Sequence, residues 1–335
     1  MKITLDELKN KLIAAASKFV TSEEAKYFAI EQIDTHLKKS PRSNPLSDAI
    51  GDLENWSKNQ GKKFEIQVDK PSALLINCND LSPSLKIKYF HDELEKRAKI
   101  NGISMLGINN SGGIHTLNLW TDGLGKRDLI CICFFNGGPD SVVPFNGTKG
   151  IFGTNPLSYA IPTLDKPIIV DMATSNIPFF EYKNANNNNL PLKPNSAVDV
   201  NGSPTTDPKL AATKDGCVNL LPLGSSYKGY ALVLLVEILT GSLVRSFLST
   251  EMSSEYILNE HGGLMIVIDI ASFTDINKFK KSVSDMCQEI RNQKPADGTR
   301  ITVPGDRNYE KLSVIEKNGL IEIDDTLVEK LNNLQ

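Results

Sequence analysis

Residues 220–243 of this 335-residue chain read LLPLGSSYKGYALVLLVEILTGSL. The glycines and serines predict a polar turn, which leads past Lys228 into the most apolar stretch of the chain, residues 231–244. This stretch is only about 14 residues long, whereas a membrane span needs about 20, so it predicts a buried core helix. A lysine at a helix start can bind a phosphate together with free backbone N–H groups, although a solvated surface lysine would fit equally well.

The segments on both sides of this helix alternate between strand-like and helix-like patterns. Helical spacing predicts helices within residues 1–60, 85–100 and 274–294, whereas the asparagine-rich residues 184–189 predict a surface loop. Four apolar runs predict strands: ISMLGI (103–108), LICICFF (129–135), LSYAIP (157–162) and PIIVDMA (167–173). The alternation indicates an α/β fold with a helix-rich N-terminal part. Because no G-x-G-x-x-G follows a first strand, the ordinary Rossmann fingerprint is absent.

The composition narrows the classes of function. With 37 Lys and Arg against 40 Asp and Glu, the net charge is −3, which gives no electrostatic surface for nucleic acid or an anionic membrane. Residues 1–19 have an amphipathic helical pattern, not that of a signal peptide. Five scattered cysteines favour reduced thiols in the cytoplasm and no metal site. Chemistry that needs a histidine has four candidates: His36, His91, His115 and His261.

Three polar loops accompany the predicted strands and helices. Gly153-Thr154-Asn155-Pro156 separates two β-like runs, and its side chains can either fix a turn or donate to a ligand. Asp171 ends a buried strand, where open α/β sheets bind ligands, and it can accept from a ribose hydroxyl or cap a helix. In Pro304-Gly305-Asp306-Arg307, the guanidinium of Arg307 can hold a phosphate through two hydrogen bonds.

Taken in order, five segments resemble the type-2 malate/L-lactate dehydrogenase family. They are GTNP (153–156), VDMATS (170–175), NGSPTTDP (201–208), the stretch 220–243 and PGDR (304–307). The N-terminal MKITLDELK and the final NGLIEIDDTLVEKL fit the family as well. The resemblance covers nearly the whole chain and is strongest from 150 to 245. The family includes ureidoglycolate, sulfolactate and diketogulonate dehydrogenases and piperideine-carboxylate reductases.

The resemblance implies a cytoplasmic, homodimeric oxidoreductase that uses NADH or NADPH and a small-molecule substrate. Its fold is the family's own α/β fold with a mixed sheet, not a Rossmann fold. Carried onto this chain, the N-terminal segment 1–120 and the C-terminal segment 271–335 would form one helix-rich domain. Residues 121–270 would form a central α/β domain that carries much of the nicotinamide-cofactor site.

The resemblance also implies individual site residues. Thr154 and Asn155 would border the nicotinamide and substrate region, and Asp199 retains the acidic residue of the family's W-A-L-D segment, in which Ser196 replaces the tryptophan. The cofactor-binding positions would be Asp171, Met172, Ala173, Thr174, Ser175, Tyr227, Lys228, Gly305, Asp306 and Arg307.

The sequence departs from the family at both of its usual histidines. The family's S-H-G-V-x-R segment corresponds to Ser43-Asn44-Pro45-Leu46-Ser47-Asp48. The proton-donating histidine is therefore Asn44, or Ser43 after a shift by one residue, and the arginine suited to a substrate carboxylate is Asp48. The second histidine, in N-S-x-H-F-G, corresponds to Gly113, and His115 lies two positions further on.

Three hypotheses follow, because hydride transfer to a carbonyl or imine needs a proton, and a positioned acid contributes about 10²–10⁴-fold in rate. In the first, the proton donor has moved to His115 or Asp199. In the second, the substrate is atypical, since Asp48 disfavours a 2-oxo acid carboxylate and favours a cationic or sugar-like group. In the third, the chain binds a nucleotide without catalysis and has a regulatory or interaction role. The cofactor loops favour an oxidoreductase acting on a small 2-oxo, 2-hydroxy or imino compound.

Each candidate proton donor also has a structural interpretation. His115 fits a partly exposed loop histidine, and Asp199 fits a turn before Gly202. We interpret His36 and His91 as surface residues, and His261 as a loop residue beside two glycines.

Overall fold

The computed structural model describes residues 2–38, 44–112, 114–214, 216–253 and 260–334. The helices in these ranges are α1 Leu5–Ala16, α2 Ser22–Leu37, α3 Pro45–Lys58, α4 Ile87–Asn101, α5 Asn118–Gly125, α6 Phe179–Asn188, α7 Tyr227–Thr240, α8 Ile276–Arg291, α9 Asp306–Asn318 and α10 Asp325–Asn333. The strands are β1 Lys2–Thr4, β2 Glu65–Lys70, β3 Ala73–Asn77, β4 Ile103–Ser111, β5 Leu129–Phe135, β6 Leu157–Ile161, β7 Ile168–Met172, β8 Ala197–Val198, β9 Pro204–Thr205, β10 His261–Asp269 and β11 Leu320–Glu322.

A seven-stranded mixed sheet forms the centre of the molecule. Its strand order is β2-β3-β4-β10-β5-β6-β7. Only β3 and β4 pair in parallel, while the other neighbours in this sheet are antiparallel. Strand β10, which follows β5, β6 and β7 in the sequence, lies between β4 and β5 in the sheet. The sheet therefore combines segments that are far apart in the chain. This arrangement confirms the α/β class with a mixed sheet and differs from the parallel sheet of a Rossmann fold.

The N-terminal and C-terminal segments pack together on one side of the molecule. Strands β1 and β11 pair antiparallel, with Ile3 opposite Ile321. A hydrophobic core joins α1, α2 and α3 to α10 and includes Leu12, Phe28 and Leu331. Strand β4 lies before residue 120 and strand β5 after it, but both pair with β10 in the central sheet. The division into residues 1–120 with 271–335 and residues 121–270 stays a prediction.

Several local expectations need correction. The surface-loop prediction for residues 184–189 is wrong, because α6 extends to Asn188 and buries Tyr182 and Ala185 one helical turn apart. The helix ends where Asn189 adopts a left-handed conformation with φ of 52°. Among the described residues, no helix has both the length and the apolar character needed to cross a membrane.

Candidate functional site

The carboxyl end of β7 meets the N-terminus of α5 at Asp171. One carboxylate oxygen of Asp171 accepts from the backbone N–H of Asn118 at 3.0 Å. Dense surrounding protein raises the pKa of Asp171 to about 6 by desolvation, against the opposing hydrogen bonds from Asn118 and Leu117. Asp171 therefore caps α5, the structural alternative for this residue, while keeping accessible surface beside the helix terminus.

Asn118 supplies an unused acceptor at the same helix terminus. Its side chain is only 6% exposed, and its Oδ1 atom has no hydrogen-bond partner in the described part of the chain. A buried polar atom without a partner costs free energy, so such an atom needs an explanation. An amide or hydroxyl donor from a bound ligand would satisfy it.

His115 lies three residues before α5 and is the accessible histidine of the chain. Its side chain is 28% exposed, whereas the other three histidines are buried. The Nε2 atom lies 3.0 Å from Asp52 Oδ1, and Nδ1 lies 3.6 Å from Asp48 Oδ1. Burial alone would lower the pKa of His115, but Asp52 and Asp48 outweigh that effect and raise the pKa to about 9. The imidazole is therefore protonated at neutral pH.

Asp48 and Asp52 reach His115 from the same face of α3. Asp52 is fully buried and accepts a hydrogen bond of 2.5 Å from Ser84 Oγ. The side chain of Asp48 is 34% exposed, and burial raises its pKa, although His115 acts in the opposite direction. With one imidazolium between two carboxylates, this group of side chains has a net negative charge when Asp48 is ionised.

The other predicted substrate residues lie partly outside the described ranges. Ser43 and Gly113 belong to the undescribed residues. Asn44 is exposed at the start of α3, and its side chain makes no capping hydrogen bond there. The neighbouring Pro45 lines a small cavity together with Asp48 and His115. The α3 start and His115 therefore share this cavity.

Thr154 and Asn155 lie in a buried loop that is bonded to the loop after β7. Asn155 is fully buried, and its amide Nδ2 donates to Glu237 Oε2 at 2.6 Å, while Oδ1 accepts from the Gly137 N–H at 3.0 Å. The hydroxyl of Thr174 donates to the Asn155 carbonyl at 2.9 Å. These side chains form hydrogen bonds with other residues of the chain. They therefore position the loop and do not indicate direct contact with a substrate.

The residues after β7 lie next to the start of α7. Met172 and Ala173 are partly exposed, whereas Ser175 is buried and donates to the Ile177 carbonyl. The Thr174 carbonyl accepts from the backbone N–H of Leu223, just before α7. This pairing places the VDMATS and GSSYKG segments side by side.

Tyr227 and Lys228 form the exposed first turn of α7. The Ser226 hydroxyl caps this helix by accepting from the Gly229 N–H. Lys228 is exposed and has no hydrogen-bond or ion-pair partner among the described residues. A free lysine at a helix N-terminus is suited to a phosphate because the ammonium and the helix dipole both attract anions.

The PGDR loop lies at the opposite end of β7. The Pro304 carbonyl accepts from the Ile169 N–H, and Gly305 has a φ of 102°. Asp306 forms an ion pair of 2.7 Å with Arg291, so its carboxylate is already partnered, whereas Arg307 is exposed. A groove of about 590 Å³ runs beside the loop between α8 and α9. Strand β7 thus connects the PGDR loop to Asp171.

Asp199, the other predicted proton donor, lies in a turn. It is an exposed residue after β8, and its Oδ1 accepts from the backbone N–H groups of Asn201 and Ser203, both at 2.9 Å. These hydrogen bonds, first of all the one from Ser203, lower the pKa of Asp199. They give this carboxylate a structural role in the turn, and its role as a proton donor stays a prediction.

The interpretation of three histidines was also wrong. His36 and His91 are buried rather than at the surface, and His261 lies in β10 rather than in a loop. His91 bonds to Tyr27 and to the Trp120 carbonyl, and burial lowers its pKa to about 3. His261 stacks on Phe135, and burial lowers its pKa to about 4. Neither imidazole is charged at neutral pH.

Sequence reasoning missed three residues of this site: Asp52, Ser84 and Asn118. Asp52 follows Asp48 by four residues, so a helix in this segment puts both carboxylates on one face, and this spacing was a usable signal. Ser84 and Asn118 have no such signal, because only tertiary packing brings them to Asp52 and Asp171.

The mixed sheet and the family comparison together identify the class of protein, a dehydrogenase or reductase. The family model described as malate/L-lactate dehydrogenase matches residues 43–332, and the chain belongs to this family.

Three similar proteins carry related names. The chain is 34% identical to the malate/(S)-sulfolactate dehydrogenase of Methanothermus fervidus over 275 residues, covering 81% of this chain and 78% of that protein. It is 27% identical to the NAD(+) ureidoglycolate dehydrogenase of Escherichia coli K12, covering 80% and 76%. The structure of the sulfolactate dehydrogenase from Methanocaldococcus jannaschii superposes with a TM-score of 0.82 at 26% identity, covering 100% of this chain and 96% of that one.

Proposed function

We propose that this enzyme transfers a hydride between a nicotinamide cofactor, NADH or NADPH, and a small oxo, hydroxy or imino compound. The observation that carries the proposal is His115, which is 28% exposed, lies 3.0 Å from Asp52 and precedes by three residues the start of α5, to which Asp171 is bonded. Relatives named as dehydrogenases of hydroxy acids support the reaction class.

The residues present fit a nicotinamide cofactor. The orphaned acceptor Asn118 Oδ1 suits the amide donor of a nicotinamide carboxamide, and Lys228 and Arg307 are exposed cations suited to its phosphates. Met172 and Ala173 are partly exposed and Tyr227 is exposed, so these residues also offer surface to a ligand. The bound cofactor would supply or accept the hydride.

His115 would act as general acid in the reductive direction. Its protonated ring would donate to the oxygen or nitrogen that gains negative charge, and the neutral ring would accept the proton back in the oxidative direction. A donor that is already protonated at neutral pH favours reduction there. We therefore place the proton-donating role on His115 and none on Asp199.

The substrate would lack a carboxylate at the α3 end of the site. Asp48 stands beside His115 where the family resemblance implies an arginine, and its carboxylate repels an anionic group. An ammonium or hydroxyl group can instead bond to Asp48. We thus propose a cationic or hydroxyl-rich oxo or imino compound, with Asn44 at the same end of the site.

The experiment is a titration of the full chain with NADH and with NADPH, followed by fluorescence, and then a panel of oxo and imino compounds with and without a carboxylate. We expect binding of one cofactor, and a Kd about tenfold weaker in Lys228→Ala. The matched control is Lys26→Ala, an exposed lysine of α2. Absence of binding to both cofactors would refute the proposal, whereas binding without turnover of any compound would favour a non-catalytic nucleotide-binding role.

We also propose a homodimer, located in the cytoplasm. Helix α7 exposes Leu235 and Ile238, and the segment after it exposes Leu243 and Phe247. Residues 235–247 therefore place several large apolar side chains on the surface. A helix that is apolar around its whole circumference normally packs on both sides. The five free cysteines suit a reducing compartment.

A further inference from the structure

Three separate elements converge on the ring of His115. Helix α3 brings Asp48 and Asp52, the short 3₁₀ turn Pro83–Lys86 brings Ser84, and the segment before α5 brings His115 itself. From the packed elements around the ring, the groups facing it are Asp48 and Asp52 on α3 and the neutral Gln32 and Thr35 on α2. Asp171, at the end of β7, bonds to the backbone N–H of Asn118, three residues after His115.

Asp52 and Asp48 differ in a way that separates their roles. Asp52 is fully buried, receives the Ser84 hydroxyl at 2.5 Å and lies 3.0 Å from His115 Nε2. Asp48 is partly exposed and lies 3.6 Å from Nδ1, which is beyond ordinary hydrogen-bond length. A buried carboxylate is stable only with partners, so Asp52 keeps its bond to Nε2 while Nδ1 stays available.

We propose that Asp52, fixed by Ser84, is a positioning residue that holds the His115 ring by Nε2, so that Nδ1–H is the proton delivered to the substrate. This inference rests on the proposed function. It adds an assignment of the reacting atom and of two residues that the family resemblance does not carry. The arrangement resembles the pairing of a general acid with a third orienting group.

Reduction of the substrate requires one hydride and one proton. In reduction, a bound nicotinamide would supply a hydride, with its electron pair, to the substrate carbon, and the C=O or C=N π electrons would move to the heteroatom. That heteroatom takes the proton from His115 Nδ1, which leaves a neutral ring that still donates from Nε2–H to Asp52. Water at the exposed edge of the ring returns the proton.

The first test measures the ring directly, without turnover. In the full chain, NMR titration of the imidazole of His115 should give a value of about 9 in the wild type and a value near the ordinary 6.5 in Asp52→Asn. His91 and His261 are internal controls, because burial keeps their pKa values low through other partners. An unchanged His115 titration in a folded Asp52→Asn chain would overturn the inference.

The second test asks whether the same ring limits the reaction. At pH 8, a fall in the pKa of His115 from about 9 to 6.5 lowers the protonated fraction, and hence kcat for reduction, by about 30-fold. The basic limb of the kcat profile should move with the NMR titration, while the cofactor Kd stays unchanged. If the titration moves and the kcat limb does not, the positioning role is overturned, although the proposed function survives.

A second pair of variants tests the same inference in case Asp52→Asn does not fold. Ser84→Ala keeps the Asp52 charge but removes the bond that fixes it, so we expect a smaller loss of kcat, about three- to tenfold, with a smaller downward move of the kcat limb. Ser82→Ala, in the same segment, is the matched control because its hydroxyl bonds to a carbonyl. Equal kcat limbs in Ser84→Ala and the wild type would count against the inference. Failure of the wild type to bind either cofactor would overturn the proposed function, and the catalytic part of this inference with it.

Discussion

The backbone of His115 explains how its side chain reaches α3. Its φ of 59° lies in the left-handed region, which costs most residues free energy but is several-fold enriched in histidine, asparagine and aspartate. Strained residues persist when surrounding contacts hold them, and here Asp52 supplies such a contact. The His115 side chain is 28% exposed, whereas His91 and His261 are buried.

Two variants discriminate between the candidate proton donors. We expect His115→Gln to lower kcat for reduction at pH 7 by about 10²–10⁴-fold with little change in cofactor Kd, because it removes a general acid. Asp199→Asn should leave kcat within about twofold, since that carboxylate holds a turn. Steady-state kinetics with fluorescence titration measures both. The opposite ranking would restore Asp199 as the donor.

The raised pKa of His115 makes stability depend on pH. A group with a pKa of about 9 in the folded chain and 6.5 when unfolded stabilises the fold fully below pH 6.5, and this contribution is lost as the pH rises to about 9. The upper limit is about 3 kcal/mol. Urea unfolding at pH 6 and 9.5 should show this loss in the wild type and not in His115→Gln. Parallel pH curves for the two chains would contradict the pairing.

At the scale of elements, α7 anchors the loops of the site through one buried contact. The Asn155 amide donates to the Glu237 carboxylate and to the Val233 carbonyl. These two hydrogen bonds join α7 to the loop that precedes β6. Ser249 also donates to Glu237, which completes the bonds of this buried carboxylate. The free energy of this contact therefore depends on Asn155 being a donor.

Asn155→Asp replaces that donor with a second carboxylate of the same shape. We expect a loss of about 3–5 kcal/mol in the free energy of unfolding at neutral pH, because two buried like charges would face each other. Asn146→Asp is the matched control, since Asn146 also has a positive φ but is exposed, and it should change stability by less than about 0.5 kcal/mol. Urea unfolding measures both, and equal losses would show that backbone conformation, not charge, decides.

Elements with regular apolar patterns could be predicted from the sequence. Elements that depend on close packing against distant residues could not. The runs 103–108 and 129–135 are strands β4 and β5, as predicted, because a buried strand needs a continuous apolar run. Helix α5, in contrast, contains Gly123 and Gly125, which lower helix propensity. A Cβ at Gly123 would lie 2.7 Å from His91, and one at Gly125 would lie 2.8 Å from Ala160, so close packing explains both glycines.

At the scale of the whole molecule, the exposed apolar side chains of α7 predict association. We expect the double variant Leu235→Lys with Ile238→Lys to convert the proposed dimer into a folded monomer, because charges in a buried interface are costly. Phe273→Lys is the control, since Phe273 is 79% exposed and lies outside α7. Sedimentation velocity measures the mass. A monomeric wild type, or a variant that remains dimeric, would contradict the use of this face.

The sequence alone determined the fold class and the family, and it predicted the segments of the site. These depend on apolar periodicity, on loop composition and on the order of motifs along the chain. It also identified two candidate proton donors, Asp199 first and His115 as the weaker candidate.

Only the tertiary structure supplies a physical reason to favour His115 over Asp199 as the proposed donor. A pKa depends on the charges and the burial around a group, and the groups around His115 come from α3 and from a turn more than thirty residues earlier in the sequence. The same holds for the buried histidines and for Asn118, whose surroundings are set by distant strands and helices. The sequence specifies which residues carry the chemistry, and packing specifies their protonation and their neighbours.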